Sequence, residues 1–210
     1  MRKLIAIVVT FGLCLGIAMT ASAAGDAAKG KALFQYCQAC HGANGEGNHT
    51  YNAPVIGGQE AWYIERQLKN FKGGIRGTDH RDVNGAQMLP MSRTMKDDES
   101  IANVAAYVAS LKPPAPMATV QGDAAAGKAS FAICVACHGA NGEGNQALNA
   151  PKLAGQHDWY IQRQVKNFKA GVRGVNPKDV YGAQMRPMAL TLATDDMISN
   201  VTAYIQSLNR

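Results

Sequence analysis

The chain has 210 residues, 21 basic against 15 acidic, for a net charge of +6, and 47% of them are hydrophobic. The basic residues form neither long runs nor stretches interleaved with aromatics, so the alkaline balance makes no case for nucleic-acid binding. It permits local charged patches that guide docking to a partner.

In chain order the first element is an expected export signal: Arg2 and Lys3, an apolar run from Leu4 to Met19, then Ala21-Ser22-Ala23. A basic start, an apolar middle and an A-x-A site are the three parts of a secretory signal peptide. The run falls short of the ~20 apolar residues of a membrane span. Cleavage is expected after Ala23, which removes two basic residues and leaves a mature charge of +4.

Asp26 is an N-cap candidate for a first helix running through Phe34 to the region of Cys37. A second helix is expected over about Glu60 to Lys72, with Ala61, Ile64, Leu68 and Phe71 on one face at helical spacing. A third begins near Asp97-Asp98-Glu99, acids suited to a helix N-terminus, and carries the stripe Ile101, Val104, Val108 and Leu111. No stretch shows sustained strand alternation, so the fold class reads as all-α. Lys112-Pro113-Pro114-Ala115-Pro116 follows as a stiff, extended linker.

The remainder repeats what precedes it. Cys37-Gln38-Ala39-Cys40-His41-Gly42-Ala43-Asn44-Gly45-Glu46-Gly47-Asn48 returns 97 residues later as Cys134-Val135-Ala136-Cys137-His138-Gly139-Ala140-Asn141-Gly142-Glu143-Gly144-Asn145. The same offset relates Trp62-Tyr63 to Trp159-Tyr160, Gly85-Ala86-Gln87-Met88 to Gly182-Ala183-Gln184-Met185, and Tyr107 to Tyr204. Two copies at so long a period mean duplicated domains rather than a solenoid. The expected division is a signal over 1–23, a first domain over 24–111, a linker over 112–121 and a second domain over 122–210. A unit of roughly 90 residues is small for an unaided core, and a covalently held apolar cofactor would help to fill it.

Outside the signal the four cysteines Cys37, Cys40, Cys134 and Cys137 all belong to C-x-x-C-H. Thiols three residues apart on a helical turn can add to the two vinyl groups on one edge of a haem, and the adjoining imidazole then faces the iron. A four-thiolate zinc site leaves His41 and His138 unexplained. A thioredoxin-type dithiol has no need of them and sits in a βαβ pattern that this chain lacks. Structural disulfides remain chemically open in an oxidising compartment. The motifs therefore predict two covalent haem c groups, with His41 and His138 as iron ligands. Sulfur from Met is a second axial ligand that raises the potential. The candidates Met88 and Met91, and Met185 and Met188, are expected in a loop before the third helix of each copy, with core packing as the alternative role.

These residues, with the repeated Gly-Gln…Trp-Tyr-Ile…Arg-Gln…Lys-Asn-Phe-Lys segment and Met-x-Pro-Met, resemble the dihaem cytochrome c4 family. That family is a tandem of two class I cytochrome c domains, and the likeness spans essentially 24–210. The resemblance implies packing of Gly30 and Phe34 against Tyr107, and of Gly127 and Phe131 against Tyr204. It implies proline carbonyls, Pro54 and Pro151, as acceptors for the proximal imidazoles. It selects Met88 and Met185 as axial ligands over Met91 and Met188, with Met95 a distant third. Trp62, Tyr63 and Arg76, and their copies Trp159, Tyr160 and Arg173, are candidates for binding haem propionates, against ordinary packing for the aromatics and exposure for the arginines. His49, His80 and His157 lack counterparts and read as surface residues.

The function so implied is a periplasmic electron carrier, not an enzyme and with no open iron site. Its expected partners are a cytochrome bc complex as donor and a haem-copper terminal oxidase as acceptor, with no nucleic acid. The expected state is a monomer, with peripheral association to the periplasmic face of the inner membrane left open. The alternatives are the cytochrome subunit of a periplasmic dehydrogenase, such as a sulfide-oxidising flavocytochrome, and a dihaem peroxidase, which would call for asymmetric halves.

Overall fold

A computed structural model describes residues 25–208. The expected signal peptide and its cleavage after Ala23 lie outside the described residues. Among these, the regular elements are helices, with isolated bridges at Asn48–Ala53 and Asn145–Ala150 but no strand. No helix among them is long and apolar enough to cross a membrane.

In the first half α1 spans Ala27–His41, α2 Ala61–Lys72, α3 Val83–Ala86, α4 Met88–Arg93 and α5 Asp98–Ser110. The second half has α6 at Ala124–His138, a 3₁₀ turn at Gln146–Leu148, α7 at Asp158–Lys169, α8 at Val180–Leu190 and α9 at Asp195–Ser207. Asp26 and Asp123 start α1 and α6 by accepting from two backbone N–H groups each, and Asp97 caps α5 through Ser100 N. Such caps satisfy donors that a helix start leaves orphaned.

Each half closes by crossing its first helix over its last. Gly30 lies against the backbone of Asn103, where a Cβ would collide with the Asn103 carbonyl, and Gly127 meets Asn200 in the same way. The missing side chains let the helices approach closely, and the Asp26 and Asp123 N–H groups donate to Asn103 and Asn200 Oδ1. Phe34 then meets Tyr107 with ring centroids 5.3 Å apart, as Phe131 meets Tyr204. Around these crossings sit two separate cores, Phe34, Ile64, Met95, Ile101, Val104 and Val108 in one, and Phe131, Ile161, Leu192, Ile198, Val201 and Ile205 in the other. The apolar stripes of α2 and α5 converge here as their spacing requires.

The methionine segment departs from the expected loop. Met88 and Met91 stand on α4, and Met185 and Met188 on α8, which contains Pro187. At an interior position such as that of Pro187 a proline leaves one helical hydrogen bond unmade. Pro90, however, is the third residue of α4, where a missing N–H leaves no helical bond unmade. Asp82 and Asp179 nucleate this region by accepting from Gly85 N and Gly182 N.

No helix covers 111–123. The segment is nevertheless tied to the second half: Asp158, fully buried at the start of α7, accepts from Thr119 N, Thr119 Oγ1 and Val120 N, and also from Trp159 N.

The halves contact each other through like residues at the same offset. Gln59 Nε2 donates to Lys152 O at 3.0 Å, and Gln156 Nε2 to Val55 O at 2.8 Å. Arg66 reaches Asn149 while Arg163 reaches Asn52. Arg76 donates to Tyr160 Oη and Gln164 Oε1, and Arg173 to Tyr63 Oη and Gln67 Oε1.

Candidate functional site

The C-x-x-C-H motifs form the last turn and a half of α1 and of α6. Each helix therefore presents two thiols on one side and ends in its imidazole, after which Gly42 and Gly139, at φ 81°, turn the chain away. A left-handed backbone of this kind favours glycine. The returning loop brings a carbonyl to the ring: His41 Nδ1 lies 2.9 Å from Pro54 O, and His138 Nδ1 2.8 Å from Pro151 O. Donation from Nδ1 fixes ring orientation and tautomer, leaving Nε2 as the nitrogen for a metal. Burial pushes the pKa of both imidazoles down despite the proline carbonyls, which favours the neutral ligand form.

The thiols differ within each pair. Cys37 and Cys134 are half-buried, and that desolvation, with the neighbouring cysteine, pushes each thiol up to about 11. Cys40 and Cys137 are exposed. All four are free, so the disulfide alternative is not formed.

In the first half these groups border a cleft enclosing about 1410 Å³, its open mouth included. Cys37, Cys40 and His41 line it from α1, Ile64, Leu68 and Phe71 from α2, and Val104 and Val108 from α5. Met88 and Met91 also line it; Met88 is half-buried whereas Met91 is 38% exposed. Met185 and Met188 repeat that contrast in the second half. Met95, the distant third candidate, is buried in the core beside Phe34 and Ile64, where Leu192 stands in the copy.

The same cleft holds buried polar atoms without a partner among the described residues: Arg76 Nε, Asp82 Oδ2 and Arg163 Nη1. An apolar cleft with two thiols and an imidazole on α1 and unpartnered guanidinium nitrogens in its wall suits an amphiphile that has reactive vinyls and two carboxylates. Haem is such a group, and the residues present fit it. The second half repeats the thiols, the imidazole and the arginine, with Arg173 Nε again buried and unpartnered among the described residues.

The propionate candidates occupy a place that periodicity did not indicate. Arg76 and Arg173 are 7% and 8% exposed, not on the open surface, and lie where the halves meet. Tyr63 and Tyr160 are their cross-domain acceptors, while Trp62 and Trp159 lie under Arg66 and Arg163. His49 and His80 are exposed as expected. His157 is not a simple surface residue: it stacks on Trp159 and its Nε2 lies 3.0 Å from Glu46 O of the other half. Gln67, Gln164, Asn52 and Asn149 were missed; their signal was the repeated Arg-Gln pair and the asparagines recurring at the common offset.

The cytochrome c family profile matches residues 27–112 and again 124–209. Cytochrome c4 of Azotobacter vinelandii is 35% identical over 96% of this chain and 98% of its own length. A thiosulfate dehydrogenase electron acceptor of Stutzerimonas stutzeri is 30% identical over 83% of this chain and 79% of its own. The crystal structure of reduced recombinant cytochrome c4 from Pseudomonas stutzeri superposes with a TM-score of 0.70, at 31% identity, covering 87% of this chain and 98% of that one.

Proposed function

Because the chain belongs to the dihaem cytochrome c4 family, we propose that it shuttles electrons in the periplasm between respiratory partners, towards a terminal oxidase. Two covalently attached haem c groups and an electron-carrying role come with that membership. Each haem supplies a reversible one-electron change at its iron. The chain's part is to hold, orient and shield.

The observation that carries the proposal is the matched pair of imidazole anchors, His41 to Pro54 and His138 to Pro151. Each leaves one ring nitrogen for an iron, and Met88 and Met185 are the half-buried sulfurs proposed for the other axial position. With both positions filled, no site remains for substrate, and the two halves are alike in every ligand. That symmetry supports a carrier over a peroxidase. Expulsion of water from a cleft lined by Ile64, Leu68, Val104 and Val108 limits solvent reorganisation as the charge changes.

The donor is proposed to be a cytochrome bc complex and the acceptor a haem-copper oxidase. The relative that serves as a thiosulfate dehydrogenase electron acceptor favours a second reading, in which a periplasmic dehydrogenase loads the protein. Export after cleavage at Ala23, and a monomeric state, belong to the same proposal.

The test is an intact mass of the periplasmic protein under denaturing conditions, with a haemochrome spectrum on the same sample. A mass of residues 24–210 plus two haems is expected. Rapid carbon monoxide uptake by the reduced native protein would refute the filled axial positions.

A further inference from the structure

We propose that Arg163, carried by the second half, completes the haem site of the first: its Nη1 binds a carboxylate of the haem held by Cys37 and Cys40 and keeps that haem's potential up. This rests on the proposed placement of the haem in the cleft lined by those two cysteines.

Arg163 belongs to α7, yet it lines the first half's cleft alongside Arg76 and Asp82. Its guanidinium is held on two sides. Nη2 donates to Asn52 Oδ1 of the first half, and Cζ lies 5.0 Å from the centre of the Trp159 ring. With those contacts made, Nη1 is buried with no partner among the described residues. A buried guanidinium donor left empty is costly, and a charged N–H donor is matched to a carboxylate oxygen.

The copy behaves differently, which isolates the feature. Arg66 uses Nη1 on Asn149 Oδ1 and Nη2 on Asn149 O, both at 2.9 Å, and lies over Tyr181. Both of its terminal nitrogens are thus engaged, and no buried Arg66 nitrogen is left without a partner among the described residues. Asn84 stands where the second half has Tyr181, so the first half offers Arg163 no equivalent ring. Both arms thus dock the halves, and of the two only Arg163 leaves a buried nitrogen open among the described residues.

The charged groups lining the first cleft are Arg76, Arg163 and Asp82. Reduction removes one positive charge from the iron, so a nearby cation favours the reduced form. Neutralising Arg163 therefore lowers the potential of the first haem.

The test uses the dihaem protein and its Arg163→Gln, Arg163→Lys and Arg66→Gln variants. Redox titrations are followed by NMR of the haem methyls. These are assigned to the first half by contacts to Val104 and Val108, and to the second by contacts to Val201 and Ile205. Arg163→Gln should lower the first haem's potential and leave the second unmoved, and Arg163→Lys should restore most of the loss. Arg66→Gln, which loosens the same interface, should leave the first haem's potential in place. No shift in Arg163→Gln, an equal shift in both haems, or the same first-haem shift from Arg66→Gln would overturn the assignment in favour of a docking role. An intact mass without two haems would instead overturn the haem reading beneath it.

Discussion

Gln156 holds Val55 by both its backbone groups: Oε1 accepts from Val55 N at 2.9 Å while Nε2 donates to Val55 O at 2.8 Å. Both residues are buried, so this amide acts as one more backbone pairing between the halves. Across the interface Gln59, its counterpart, makes only the donation to Lys152 O, and Glu60 accepts from Lys152 N in its place. Gln156→Ala should orphan a buried donor and a buried acceptor, each at a cost of about 1–3 kcal/mol. Denaturant titration should show that loss, larger than for Gln59→Ala.

Gly30→Ala places a methyl against the Asn103 carbonyl, which is helix backbone and cannot swing aside. Separation of α1 from α5 should follow, with a loss of about 3 kcal/mol, the upper range for overpacking. The thermal midpoint of the holoprotein reads it. Gly127→Ala should act alike on α6 and α9.

Exchange of a sulfur ligand for nitrogen lowers a haem potential. Met88→His should therefore lower one of the two potentials and remove half of the near-infrared methionine–iron band, and Met185→His the other half. Met91→Ala and Met188→Ala, at the exposed positions, should leave both bands intact. The opposite pattern would move the axial ligand by one helical turn.

Asp158 predicts how acid acts on the linker. Burial alone would raise its pKa, but hydrogen bonds from Val120, Thr119 and Trp159 prevail and hold it below the ordinary 3.8. A lowered folded value means stability that is present above the unfolded pKa and lost as pH falls through the folded one. Below about pH 4, then, the Thr119–Val120 tether should loosen, seen as faster proteolysis within 112–121. Asp158→Ala should show that susceptibility at neutral pH.

The elements that could be read from the sequence were those whose evidence is local. Capping at Asp26 and Asp97, the stripe Ile101-Val104-Val108 and the C-x-x-C-H spacing each lie within a few turns of chain, and each describes what the chain folds into. The methionine segment is a different case: expected as a loop, it is helical in both halves, and Pro90 sits in the first turn of α4, where it breaks no hydrogen bond. The arginines resisted for another reason. Arg76 meets Gln164 and Arg163 meets Asn52 across separations of 88 and 111 residues, and no periodicity within one helix encodes such a pairing. His157 was misplaced likewise, since its environment comes from Glu46 in the other half.

The paired contacts, Gln59 with Lys152 and Gln156 with Val55, Arg66 with Asn149 and Arg163 with Asn52, have the form of an isologous interface, the kind two identical subunits make about a two-fold axis. In a homodimer every substitution there is made twice and must satisfy both sides together. Fusion into one chain lifts that restriction, because each side can then change alone. Glu60 and His157 mark where this has happened: the same position accepts from Lys152 on one side and contacts Glu46 on the other. The covalent link between the halves thus does more than tether them; it allows a symmetric pair to become two unlike electron sites.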